Sequence, residues 1–156
     1  MSLVKMNSKQ ALVVIAVDGS EISLFAIKQY AEEIMEPTHR VVGVLVGERT
    51  DIAYGAIGPL DKSVVKALIE AEEKKTNEMI ERVRQCMAEY KINGEVVKAF
   101  GEAGPAILAK AKELHADFIV TGSRGLGKIR KTLLGSVSSY LIHHSKTPVV
   151  VCKMPD

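Results

Sequence analysis

The chain has 156 residues, 47% apolar and 26% charged, with a formal net charge of +2. That length suits one domain able to bury most of its apolar surface. The charge is too small for a nucleic-acid binder, and three Phe and four Tyr offer little base stacking.

No apolar run reaches the roughly 18 residues of a membrane span, and no signal-peptide pattern is present. A cytoplasmic protein with no membrane partner is therefore expected. Residues 1–10 read as an N-terminal extension and 11–156 as the domain. Ala11 to Val17 is a continuous β-branched apolar run, the pattern of a strand covered on both faces. It stops at the turn Asp18-Gly19-Ser20. Ser20 can cap the helix that follows, Glu21 suits its dipole, and Ile27, Tyr30, Ala31 and Ile34 form its inner stripe before Pro37 ends it. Asp18 thus falls at the carboxyl end of the first strand, where open α/β sheets take ligands. The same residue suits a plain turn aspartate bonding its own backbone.

Arg40 to Val46 is a second apolar strand, followed by a polar loop over residues 47–59 with Asp51, Tyr54, Gly55 and Gly58. From Asp61 to Tyr90 the spacing predicts a long amphipathic helix, its stripe made of Val65, Leu68, Met79, Ile80, Val83, Met87 and Tyr90. Asn93-Gly94 supplies a left-handed stop. Residues 95–100 form a third strand, and Gly104-Pro105 open a helix with Ile107, Leu108, Ala111 and Leu114 inward. A fourth strand over 117–121 leads into Gly122-Ser123-Arg124-Gly125-Leu126-Gly127, then Leu134-Gly135-Ser136-Val137-Ser138 and a helix ending at His143-His144. Thr147-Pro148-Val149-Val150-Val151-Cys152 holds the fifth apolar strand, preceded by its proline. The alternation requires a mostly parallel sheet with right-handed helical crossovers.

A strand, a glycine-rich loop and a helix start in that order suit a phosphate cradle, because glycine admits close backbone approach and free helix amides favour anions. They equally suit a tight connection with a solvated basic rim of Arg124, Lys128, Arg130 and Lys131. The loop is neither a Walker loop nor the dinucleotide G-x-G-x-x-G. No metal-ligand spacing occurs and no serine sits in G-x-S-x-G, so neither a protein-only metal site nor a serine hydrolase is expected. His143 and His144 suit a helix C-terminus, and His39 and His115 the surface. Cys86 and Cys152 lack a C-x-x-C partner and read as buried, reduced thiols. In a doubly wound sheet whose order reverses between strands one and four, Asp18 lies beside Gly122 with Val46 nearby. An acid, an apolar slot and an anion cradle on one edge describe a nucleotide site.

Val17-Asp18-Gly19-Ser20 and Gly122-(2)-Gly125-(9)-Gly135-Ser136 resemble the universal stress protein family, in particular its ATP-binding subgroup, over Ala11 to Lys153. The resemblance implies a Rossmann-like, five-stranded parallel sheet of order 3-2-1-4-5 with helices on both faces. It further implies a homodimer through the last strand, Val149, Val150 and Val151. By the same resemblance Ala16, Val17 and Val46 line the adenine, Asp18 meets adenine or ribose, and Thr121 and Gly122 contact the ribose. Gly125, Gly135, Ser136, Val137 and Ser138 hold the phosphates, with Mg²⁺ or Mn²⁺ carried by phosphate and water. Thr121 departs from the larger apolar residue common in the family. The function expected is a cytoplasmic ATP-binding stress-response module, hydrolysing ATP slowly at most. The alternatives are a nucleotide-dependent enzyme, an adenylyl transferase or pyrophosphatase, on the same architecture, and a nucleotide-free dimeric scaffold.

Overall fold

The computed structural model describes residues 10–47, 58, 61–123 and 134–155. Strand β1 (Leu12–Val17) leads to helix α1 (Glu21–Glu33), β2 (Arg40–Gly47), α2 (Lys62–Glu89), β3 (Gly94–Phe100), α3 (Ala103–Glu113), β4 (Phe118–Gly122), α4 (Ser136–His144) and β5 (Val149–Cys152). The strands form one parallel sheet of order β3-β2-β1-β4-β5. This is the expected fold.

The unbroken apolar character of β1 follows from its central place. Successive side chains point to opposite faces, so Val13, Ile15 and Val17 join α1 and α2 in one core, with Ile27, Tyr30, Ile80 and Val83. Val14 and Ala16 join α3 and α4 in the other, with Ile107, Ala111 and Leu141. Each fully buried aliphatic side chain contributes about 1.5–3 kcal/mol.

The helices start largely as their sequences dictate. Ser20 caps α1 by accepting from the Ser23 amide at 3.3 Å, and Asp61 caps α2 by accepting from Ser63 at 3.0 Å. The stop of α2 differs from expectation: Lys91, not Asn93-Gly94, takes the left-handed conformation (φ 53°). Gly94 instead begins β3, and a Cβ there would run into the Val41 carbonyl. The expected stripe of α2 also reaches the core only from Thr76 onward, with Val65 half-buried and Leu68 exposed. Both cysteines are free, Cys152 buried and Cys86 half-buried, and burial pushes both thiols up. His143 and His144 place Nδ1 2.7 and 2.9 Å from the Ser139 and Tyr140 carbonyls, a C-terminal capping arrangement.

His39 does more than sit at the surface. It stacks on Tyr30, meets the edge of Phe118, and lies 2.9 Å from the Tyr30 hydroxyl. Burial, and secondarily the charge of Glu36, pushes the Tyr30 phenol up to about 12 from 10.0. The unfolded chain therefore releases this proton at lower pH than the folded one, so stability falls as pH rises from about 10 to about 12. The loss is about 1.4 kcal/mol per unit of separation. Urea midpoints measured across this range should decline for the wild type and decline less for Tyr30→Phe.

Candidate functional site

The strand order reverses at β1, which pairs with β2 on one side and β4 on the other. At such a point the crossover helices depart to opposite faces and leave a crevice at the carboxyl ends of the strands. Asp18, Thr121, Gly122, Val46 and the start of α4 all belong to this edge by chain position.

Asp18 is half-buried and accepts from the Ser20 amide through Oδ1 at 2.9 Å, so it shapes the β1–α1 turn. Its own amide donates to Ser23 Oγ at 3.4 Å. Gly19 holds φ at +74°, and a Cβ there would press on Met79 of α2 at 3.1 Å. The turn is thus clamped between its own polar bonds and the neighbouring helix. Ala16, Val46 and Val137 share the core facing α3 and α4, whereas Val17 belongs to the opposite core. The period-2 alternation of a strand separates Ala16 from Val17, so their side chains do not line one slot. Thr121 is buried, its hydroxyl donating to the Gly122 carbonyl at 3.3 Å.

At Gly122 a side chain would collide with Ile22 on the first turn of α1. Glycine here lets the end of β4 approach that helix, a packing role in addition to the one the family motif suggests. Gly135 is the N-cap of α4, extended at φ −62° and ψ 160°, with no side-chain cap. The first backbone bond of the helix runs from the Ser139 amide to the Gly135 carbonyl at 2.9 Å. The amides of Ser136, Val137 and Ser138 precede it, where a helix has no internal acceptors to offer. In α1 the Ser20 hydroxyl meets that need, whereas the N-cap of α4 is a glycine with no side chain to do so. Ser136 is exposed and Val137 half-buried. Ser138 is 1% exposed, its hydroxyl 2.9 Å from the Gly135 carbonyl and 3.3 Å from that of Ser123. It therefore ties the helix start to the end of β4.

Ser123 is the residue that sequence reasoning missed. Its carbonyl accepts from the Gly135 amide at 2.5 Å and its amide donates to the Cys152 carbonyl at 2.9 Å. Backbone bonds thus join Ser123 to Gly135 and to β5, which no side-chain pattern reveals. Gly125, Arg124, Lys128, Arg130 and Lys131 lie outside the described residues, as does nearly all of the 47–59 loop. Among the described residues no three His, Cys, Asp or Glu side chains group as a metal site, and no helix is long and apolar enough to cross a membrane.

A five-stranded parallel sheet of order 3-2-1-4-5 with helices on both faces makes this a doubly wound α/β protein. The family model of the universal stress protein family matches residues 12–153, and the chain belongs to that family. It is 28% identical over 149 residues to universal stress protein YxiE of Bacillus subtilis, covering 90% of this chain and 97% of the relative. The fold is shared with a universal stress protein family protein from Arabidopsis thaliana with AMP bound (TM-score 0.67, 20% identity, 93% and 92% of the two chains). It is shared also with a universal stress protein in complex with cAMP (TM-score 0.66, 21% identity, 91% and 96%).

Proposed function

We propose that this chain is a cytoplasmic, ATP-binding universal stress protein that holds an adenine nucleotide across the carboxyl ends of β1, β2 and β4. The observation that carries the reading is the start of α4, whose N-cap residue is a glycine that brings no side-chain acceptor. Such a helix end attracts phosphate through its free N–H groups and dipole. The AMP- and cAMP-bound proteins of the same fold support an adenine nucleotide as the ligand. In this reading Asp18 meets the ribose or base, and Ala16, Val17 and Val46 flank the base, Val17 through its backbone. Thr121 and Gly122 border the ribose. Gly125, Gly135, Ser136 and Val137 receive the phosphates, with Ser138 fixing the geometry. The described donors on this edge are amides and hydroxyls, which suit an anion, so Mg²⁺ or Mn²⁺ would ride on phosphate oxygens and water.

Asp18 accepts from the Ser20 amide within its own turn, and in this reading hydrolysis is slow at most. The role is a conformational one, nucleotide binding biasing the surface offered to partners. β5 closes one edge of the sheet with Val149, Val150 and Val151 half-buried, which supports a homodimer formed through that strand. Mass spectrometry of nucleotide released on denaturing freshly purified protein should find ATP, ADP or AMP near one per chain. Release of none, together with no heat of ATP binding by calorimetry, would leave the nucleotide-free scaffold as the better reading.

A further inference from the structure

Strand β3 ends on Phe100, and Gly101, at φ 111°, turns the chain toward α3 immediately after it. Phe100 is 60% exposed, the highest value among the described large apolar residues that reach the surface. Val96 belongs to the core under α1 and α2, and Val97 and Ala99 to the other core. The alternation along β3 therefore places Phe100 on the α1 and α2 face. Across the ladder it pairs with Gly47 of β2, and Cε1 and Cδ1 of its ring lie 3.8 and 3.9 Å from where a Gly47 Cβ would stand. The ring leans over the end of β2, seated where Gly47 has no side chain. Among the described residues Tyr30, Phe118 and Tyr140 each pack on another ring, and Phe100 packs on none. An apolar ring is thus left facing water at the carboxyl edge of the sheet, beside Val46.

We propose that Phe100 is a further binding residue of the nucleotide site, its ring stacking on the base from the face opposite Ala16 and Val46. The proposal rests on the nucleotide reading above and extends that site to β3. Strand order selects the base as the occupant. The phosphates are assigned to the start of α4, which follows β4, and Asp18 at the end of β1 to the ribose or base. Continuing the same way across the sheet, the base falls at β2, and β3 is the next strand. From β4 to β3 is three strand spacings, roughly 14 Å, in keeping with an extended mononucleotide. Ala16 and Val46 belong to the core facing α3 and α4, so a base at the end of β2 meets them on one side only. Phe100 supplies an apolar surface on the other. An aromatic ring stacks on the π-face of any base. The contact reads no polar edge, so it favours a nucleotide over a bare polyphosphate and leaves the choice among bases to other groups.

The chain contains no tryptophan, so Phe100→Trp places a single indole fluorophore at this position. Titration with Mg-ATP should quench its emission, and titration with Mg-tripolyphosphate, which brings charge but no base, should not. Calorimetry supplies the affinities. Phe100→Ala should weaken Mg-ATP binding about tenfold, and Phe100→Tyr, which keeps the ring, should bind as the wild type does. Position 100 is exposed at a strand end, and thermal melts should show all three variants folded. Wild-type ATP affinity in Phe100→Ala, an equal loss in Phe100→Tyr, or quenching of Phe100→Trp that is absent with ATP or as strong with tripolyphosphate would overturn the proposal while leaving the nucleotide site in place. Failure of the wild type to bind Mg-ATP at all would instead overturn the nucleotide reading, and this proposal with it.

Discussion

Gly135→Val is expected to lower ATP affinity by about a hundredfold while leaving the fold intact. Residue 135 holds φ −62° and ψ 160°, which any L-residue adopts, and its amide can still donate to the Ser123 carbonyl. The substitution therefore brings no backbone strain. It sets a branched side chain over the amides that start α4, where the phosphates are proposed to lie. Losing two charge-assisted bonds of roughly 1.5 kcal/mol each removes about 3 kcal/mol, or about two decades of affinity. Isothermal titration with Mg-ATP, beside a thermal melt of the ligand-free variant, measures both halves of the expectation. Unchanged affinity in a well-folded Gly135→Val would remove α4 from the site.

Gly94→Ala is expected to have the larger effect on stability. An added Cβ would collide with the Val41 carbonyl and approach Val41 Cβ at 2.9 Å and Met87 Cε at 2.7 Å. Met87 has some freedom to shift, but the Val41 backbone is held in the β2–β3 ladder, where Val41 pairs with Gly94 itself. Relief requires the start of β3 to move away from β2, at a cost of about 3 kcal/mol. For a chain of this size that lowers the melting temperature by roughly 6–12 °C. A drop of less than a degree or two would mean that the strand start yields more easily than its packing suggests.

Gly94 also marks where sequence reasoning stops. The dipeptide Asn93-Gly94 carries the usual signature of a left-handed helix end, but the chain reverses two residues earlier, at Lys91. A left-handed lysine is affordable there because its amide and that of Ile92 donate back to Ala88 and Met87. The need for glycine at 94 arises from another strand, 53 positions away in sequence, and no local pattern encodes it. The strands and helices themselves were legible because each buries a face whose period shows in the residue order, as in the unbroken run of β1 and the stripe from Met79 to Met87. The position of Asp18, Gly122 and Gly135 at the carboxyl edge of the sheet was legible from the order of the elements. What spacing could not give was the division of labour among them. The collision between a Cβ at 122 and Ile22, the buried hydroxyl of Ser138 and the backbone clasp of Ser123 on Gly135 all depend on contacts across the sheet edge.

A crystal structure of the protein grown with Mg-ATP tests the central claim most directly. Phosphate density within hydrogen-bonding distance of the Ser136 and Val137 amides, with the sugar or base against Asp18, is the predicted result. An open but empty crevice at saturating nucleotide, or ATP bound elsewhere on the molecule, would contradict it.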